Sequence, residues 1–120
     1  MRSLFFGLLF SSLAVGQDLD CFQIDDVDQT GYEHPVWIDL HKNNARYVAN
    51  SLSPILFKDD DFIIWTHLQI GSSSDKTRRA LVSLLFNRKN GRLAVSAVHD
   101  GDTTEKKLIQ TKQVLQCKLS

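Results

Sequence analysis

Proline and cysteine are scarce in this chain of 120 residues, with two of each, and 14 basic side chains are cancelled by 14 acidic ones. Each scarcity excludes something. Two cysteines make at most one bridge, so a disulfide-dense miniprotein is excluded, and a charged fraction of 23% beside 42% hydrophobic residues excludes a disordered chain. The lack of net charge excludes a protein that coats nucleic acid or anionic lipid by bulk attraction, although local patches stay open. No repeat, low-complexity run or linker divides the sequence, whose length is that of one domain. A Gly-rich phosphate loop, a metal-ligand cluster, a nucleophile elbow and an Asn-x-Ser/Thr sequon are all missing, so no cofactor is expected and no N-glycan.

What is present begins with a leader. Met1, Arg2 and Ser3 make a short basic start, Leu4 to Val15 is almost wholly apolar, and Ala14-Val15-Gly16 supplies the small residues of a cleavage site. The apolar run is shorter than the ~20 residues that span a bilayer, so a removed secretory signal peptide over 1–16 is expected, with no membrane attachment of the mature chain. A single domain over 17–120 remains, with a net charge of about −1. Export gives the cysteines a meaning. Cys21 and Cys117 stand at the two ends of the mature chain, where an oxidising compartment joins them into one end-to-end bridge.

Cys21 to Ile24 and Val36 to Leu40 read as a first pair of strands. From Asn44 onward, Ala45, Val48, Ala49 and Leu52 follow the spacing of a helix that Pro54 ends, although a strand over Arg46 to Val48 remains an alternative. Phe62 to Ile70 is too short and too β-branched to prefer a helix. Ala80 to Phe86 and Leu93 to Val98 flank Asn90-Gly91, which as a two-residue turn sets Phe86 opposite Val95, Leu84 opposite Ala97 and Val82 opposite His99. Leu108 to Leu119 is compatible with a strand, or with a helix capped by Asp102 and Glu105. The sum is an α+β domain, one short helix packed on a small twisted antiparallel sheet; the alternative is an all-β sandwich.

The four histidines have plain structural readings: His34 as a solvated loop residue, His41 at a strand edge, His67 as a packed residue facing the same way as Trp65, and His99 at a strand end. Charge is more telling. Residues 17–61 carry ten acids and three bases, whereas 62–120 carry four acids and ten bases. Arg78, Arg79, Arg88, Lys89 and Arg92 gather around the ends of the hairpin strands and, with Trp65 as a stacking platform, make a candidate binding surface.

The run Leu84 to Gly101, an apolar strand ending in Phe86-Asn87, a turn, a Leu93-Ala94 strand and His99-Asp100-Gly101, resembles the C-terminal hairpin of small fungal guanyl-specific ribonucleases. With the leader, Leu19-Asp20-Cys21 and the terminal Cys117, the chain is similar to the ribonuclease-like (RALPH) secreted effectors of powdery-mildew fungi. The resemblance implies a ribonuclease-like fold in which His99 is a remnant of the catalytic site. Ser83 stands where the family has an arginine, and Leu52 where its general-base carboxylate belongs. It therefore implies a pseudoenzyme: a secreted virulence effector of a fungal pathogen, a monomer, that binds a host plant protein and is open to recognition as an avirulence protein by an intracellular immune receptor. RNA is a lesser candidate partner. A β-sandwich effector of the MAX type and an active secreted ribonuclease are the alternatives.

Overall fold

The computed structural model describes residues 15–73, 76–100 and 108–120, of which 70–73 and 76–78 by the backbone alone. Residues 1–14 of the expected leader and the Asp102–Glu105 capping pair lie outside them. Eight strands follow one another: β1 (Gln17–Gln23), β2 (His34–Asp39), β3 (Asn44–Tyr47), β4 (Ser53–Lys58), β5 (Phe62–Ser73), β6 (Lys76–Asn87), β7 (Arg92–Asp100) and β8 (Leu108–Leu119). Each pairs antiparallel with the next, and β8 returns to β1, so the sheet closes into a barrel. The α+β expectation is overturned: no α-helix occurs among the described residues. The sandwich alternative fails too, because one closed sheet replaces two packed ones.

The segment expected to be helical shows why. Ala45 and Tyr47 point inward from β3 with the period of two of a strand, Val48 turns the chain with a positive φ of 57°, and Leu52 is exposed. A strand of four residues is too short for alternation to announce itself, and chance spacing of Ala45, Val48, Ala49 and Leu52 imitated a helical face.

Alternation fills the barrel. Leu19 and Cys21, Val36 and Ile38, Ile63 and Trp65, Val82, Leu84 and Phe86, Leu93 and Val95, and Leu115 and Cys117 form one buried cluster. Eight strands enclose a space that side chains just fill, and each large side chain buried there contributes about 2 kcal/mol. The β6–β7 hairpin keeps the expected inward set with another register. Phe86 faces Leu93 and Leu84 faces Val95, because the connection is the four residues Arg88 to Gly91. A shift of two leaves every side chain on its expected face.

Cys21 and Cys117 are directly opposite in the β1–β8 seam and joined as expected, with both side chains buried. Strand lengths divide the molecule. β1 to β4 have four to seven residues, whereas β5, β6 and β8 have 12 each, so β5 to β8 run on past the barrel as a four-stranded shelf. The shelf stands at the end carrying the β1–β2 and β3–β4 connections, here called the rim; the opposite end, with the β2–β3, β4–β5 and β6–β7 turns, is the base.

Candidate functional site

The last inward position of several strands at the rim is polar. His34 opens β2, Tyr47 ends β3, His67 follows Trp65 on β5, and Gln113 precedes Leu115 on β8. The same alternation that packs the core carries these side chains to its upper surface. Their rings form a row: Tyr32 meets His34 edge-on at 4.9 Å between centroids, His34 stacks on Tyr47 at 6.0 Å, and Tyr47 stacks on His67 at 6.3 Å.

Hydrogen bonds tie the row together. Tyr47 Oη lies 2.8 Å from His34 Nδ1 and accepts from Gln113 Nε2 at 3.3 Å, while Gln113 accepts from Gln23. With Gln113 supplying that N–H, the phenol's own hydrogen goes to His34 Nδ1, a tautomer inferred from the hydrogen-bond pattern. Burial pushes the Tyr47 phenol up to about 12 and holds both His34 and His67 below the usual imidazole value. All three are neutral near pH 7. His67 is 8% exposed, and its Nε2 is buried without a hydrogen-bond partner.

Two hollows flank this row. One of about 270 Å³ lies between Tyr47, Gln69, Val82, Val95, Ala97, Thr111, Lys112 and Gln113. The other, about 370 Å³, separates the β3–β4 loop (Ala49, Asn50 and Ser51) from His67, Leu68 and Gln69. Neither hollow is lined by a carboxylate. Glu33, beside His34 in sequence, is instead engaged with Asp20, and that hydrogen bond raises its carboxyl pKa. The arrangement offers amide, hydroxyl and imidazole groups above an apolar floor. With Lys112 also lining the smaller hollow, the arrangement suits recognition of a compact polar group by hydrogen bonding.

The residues singled out from sequence do not assemble into one surface. Trp65 is wholly buried in the barrel and has no free face for a base. Arg79 sits at the rim end of β6, where Asp100 takes its backbone N–H at 2.7 Å and its guanidinium at 3.1 Å, and these contacts hold the Asp100 carboxyl below its usual range. Arg88 and Lys89 belong to the β6–β7 turn at the base, and Arg92 opens β7 next to it. There Arg88 donates to the Asp59 carbonyl and Lys89 lies 3.7 Å from Asp61, so the acidic run of the first half meets the basic turn of the second. The side chain of Arg78 lies outside the described residues. His99 is on β7 in the shelf, paired with Ala80 and Ile109, whereas His41 lies in the β2–β3 turn at the base. Those two histidines do not converge.

Tyr47 and Gln113 went unnoticed in sequence, and His34 and His67 were read there only as structural residues. The signal was there in fragments: His34-x-Val36-x-Ile38, Ala45-x-Tyr47 and Gln113-x-Leu115-x-Cys117 alternate in phase with the core, which places each polar residue on an inward face.

The fold and the rim define an eight-stranded meander barrel with a filled interior and a polar, aromatic mouth. Comparison with protein-family models, with curated proteins and with solved structures finds no match for this chain.

Proposed function

We propose that this is a secreted protein that acts by binding rather than by catalysis, and that its mouth takes a compact, hydrogen-bonding group of a partner. The observation that carries the reading is the rim itself: Tyr47, His67, Gln69 and Gln113 are hydrogen-bonding groups set above Val82, Val95 and Ala97, with Lys112 the one charged residue lining either hollow. A hollow of about 270 Å³ has the size for one ring or one side chain, near the lower limit of small-ligand sites. Export is supported by the leader-like N-terminal segment and by the bridge that an oxidising compartment favours. Ribonuclease kinship no longer contributes, because the fold it implied is replaced by a barrel; a host-protein partner rests on the export features alone.

Titration of isotope-labelled protein with neutral monosaccharides and primary amides, beside carboxylates and phosphates, tests the reading. Resonances of the rim residues, Tyr47, His67, Gln69 and Gln113, are expected to shift with one of these classes, and those of His67 and Gln69 to stay still in the Tyr47→Phe, Gln113→Ala double variant. Shifts confined to the base, or none with any class, would count against it. RNA cleavage by the purified protein that disappears in His99→Ala would refute the non-catalytic part.

A further inference from the structure

A closed barrel has no strand edges, yet the shelf has two. β4 pairs with β5 only from Ile55 opposite Trp65 down to Lys58 opposite Ile63. Above that point β4 is committed elsewhere: Pro54 pairs with Asn44, Ser53 pairs with Ala45, and Ile55 donates its N–H to Asn43. Pro54 has no N–H to offer β5 in any case. From Thr66 to Ser73, β5 is therefore paired with β6 on one side, and among the described residues nothing pairs on the other. β8 is open likewise from Leu108 to Gln113, since β1 reaches only to Leu115 and, through Ile24, to Val114.

The two edges differ in how they meet a copy of themselves. The β8 edge carries Lys112, which guards it, because two such edges brought together set like charges side by side. The β5 edge has no guard. From Phe62 to Ser74 there is no Asp, Glu, Lys, Arg or Pro, and the only titratable side chain, His67, is kept neutral by burial. Leu68, 63% exposed, stands beside the edge, and the 370 Å³ hollow between the β3–β4 loop and His67 to Gln69 leaves the strand approachable. Native edge strands are ordinarily blunted by charge, proline or a bulge, and an unguarded one is a template for another strand.

We propose that the β5 edge, Thr66 to Ser73, is a self-association surface on which a second copy of this chain docks by antiparallel β5–β5 pairing. The two shelves then form one continuous eight-stranded sheet about a two-fold axis. Antiparallel pairing of identical strands opposes no charge to charge in any register, which is why a second copy fits this edge. A strand pair is a small interface, so the dimer is weak and dependent on concentration.

Sedimentation velocity of the purified, oxidised protein over a roughly hundredfold concentration range tests this, because mass action shifts a weak dimer visibly over such a range. The expected result is a reversible monomer–dimer equilibrium, with slowed hydrogen exchange at the amides of Thr66 to Ser73 as concentration rises. Leu68→Lys sets a charge beside the edge and is expected to weaken the dimer by about tenfold or more, through like-charge repulsion across the two-fold axis and lost apolar burial. Val98→Lys is the control. Val98 lies in the same outer cross-strand row, Leu68–Leu81–Val98, but two strands in from the edge, so dimerisation survives there if pairing is by the edge and fails if the outer face is what associates. Thermal unfolding verifies that both variants fold; should Leu68→Lys not fold, Thr66→Lys takes its place. A strictly monomeric protein, a dimer indifferent to the Lys at the edge, or a dimer lost in Val98→Lys would each overturn the proposal.

Discussion

At the scale of single residues, His67 is the costliest feature of the rim. Its Nε2 is buried with no partner, and an unsatisfied buried polar group costs about 1–3 kcal/mol. His67→Phe keeps the ring stacked on Tyr47 and removes the orphan, so it is expected to raise stability by about 1 kcal/mol, read as a higher urea midpoint at pH 7.5. The same residue predicts a pH dependence. Burial lowers the pKa of His34 and His67 below the ordinary 6.5, so the unfolded chain takes up protons that the folded chain refuses. Their neutral packing is fully tolerated above pH 6.5, and stability falls as pH drops through the lowered folded values. Urea midpoints between pH 7.5 and 5 should decline, and less steeply in His67→Phe; an equal slope in both proteins would remove His67 from the account. Tyr47→Phe is the opposite case. It strips a partner from both His34 and Gln113 and is expected to destabilise by about 1–2 kcal/mol in the same assay. His67 was legible in sequence as a packed residue. Its stacking partner Tyr47 was not, because that residue was read into a helix, and neither was the place of His34, which also stacks on Tyr47 but was read into a loop.

Among elements, the β6–β7 hairpin was the most legible and the β3–β4 corner the least. Asn90-Gly91 marked the turn correctly, since both residues lie in it, but only Gly91 has a positive φ, 74°. Asn90 contributes through its side chain, whose Oδ1 accepts the N–H of Arg92 at 3.0 Å, and Asn87 Oδ1 accepts from Lys89 at 2.9 Å. These side-chain bonds support a four-residue loop in place of the tighter one, a choice invisible to a dipeptide rule. Gly91→Ala should therefore cost about 1 kcal/mol or more, whereas Asn90→Ala should cost less, about 0.5–1 kcal/mol. Thermal unfolding separates them, and an equal loss in both would show that the backbone conformation at Gly91 is not what limits the turn. The corner after β3 hides a second exception: Val48, β-branched, occupies the left-handed region and donates its N–H to Pro35 at 2.7 Å. Sequence rules assign such positions to Gly or Asn, so a turn built on Val reads as part of a periodic element.

For the whole molecule, closure is the property that local reading could not reach, because it depends on the count of strands and on where the last one returns. With β3 read as helix and β8 left open between helix and strand, the remaining elements do not close a ring. The bridge was legible for a different reason, since two cysteines in a chain read as exported have only each other. The structure joins the two facts. Every strand pairing in the barrel links neighbours in sequence except β1 with β8, and the bridge spans that seam with a sequence separation of 96. Joining the seam carries the largest loop-closure entropy in the fold, and a covalent link there removes about 4–5 kcal/mol of it from the unfolded chain in the entropy model. The Cys21→Ala, Cys117→Ala variant is accordingly expected to lose about 4 kcal/mol, with the loss localised at first. Amides of Leu19 to Gln23 and Leu115 to Leu119 should exchange fastest, while those of Ile63 to His67 and Val82 to Phe86, held by hairpins between adjacent strands, should keep their protection longest. Uniform loss of protection around the barrel would mean that the seam is no weaker than the hairpins, and that the bridge stabilises the molecule without being what closes it.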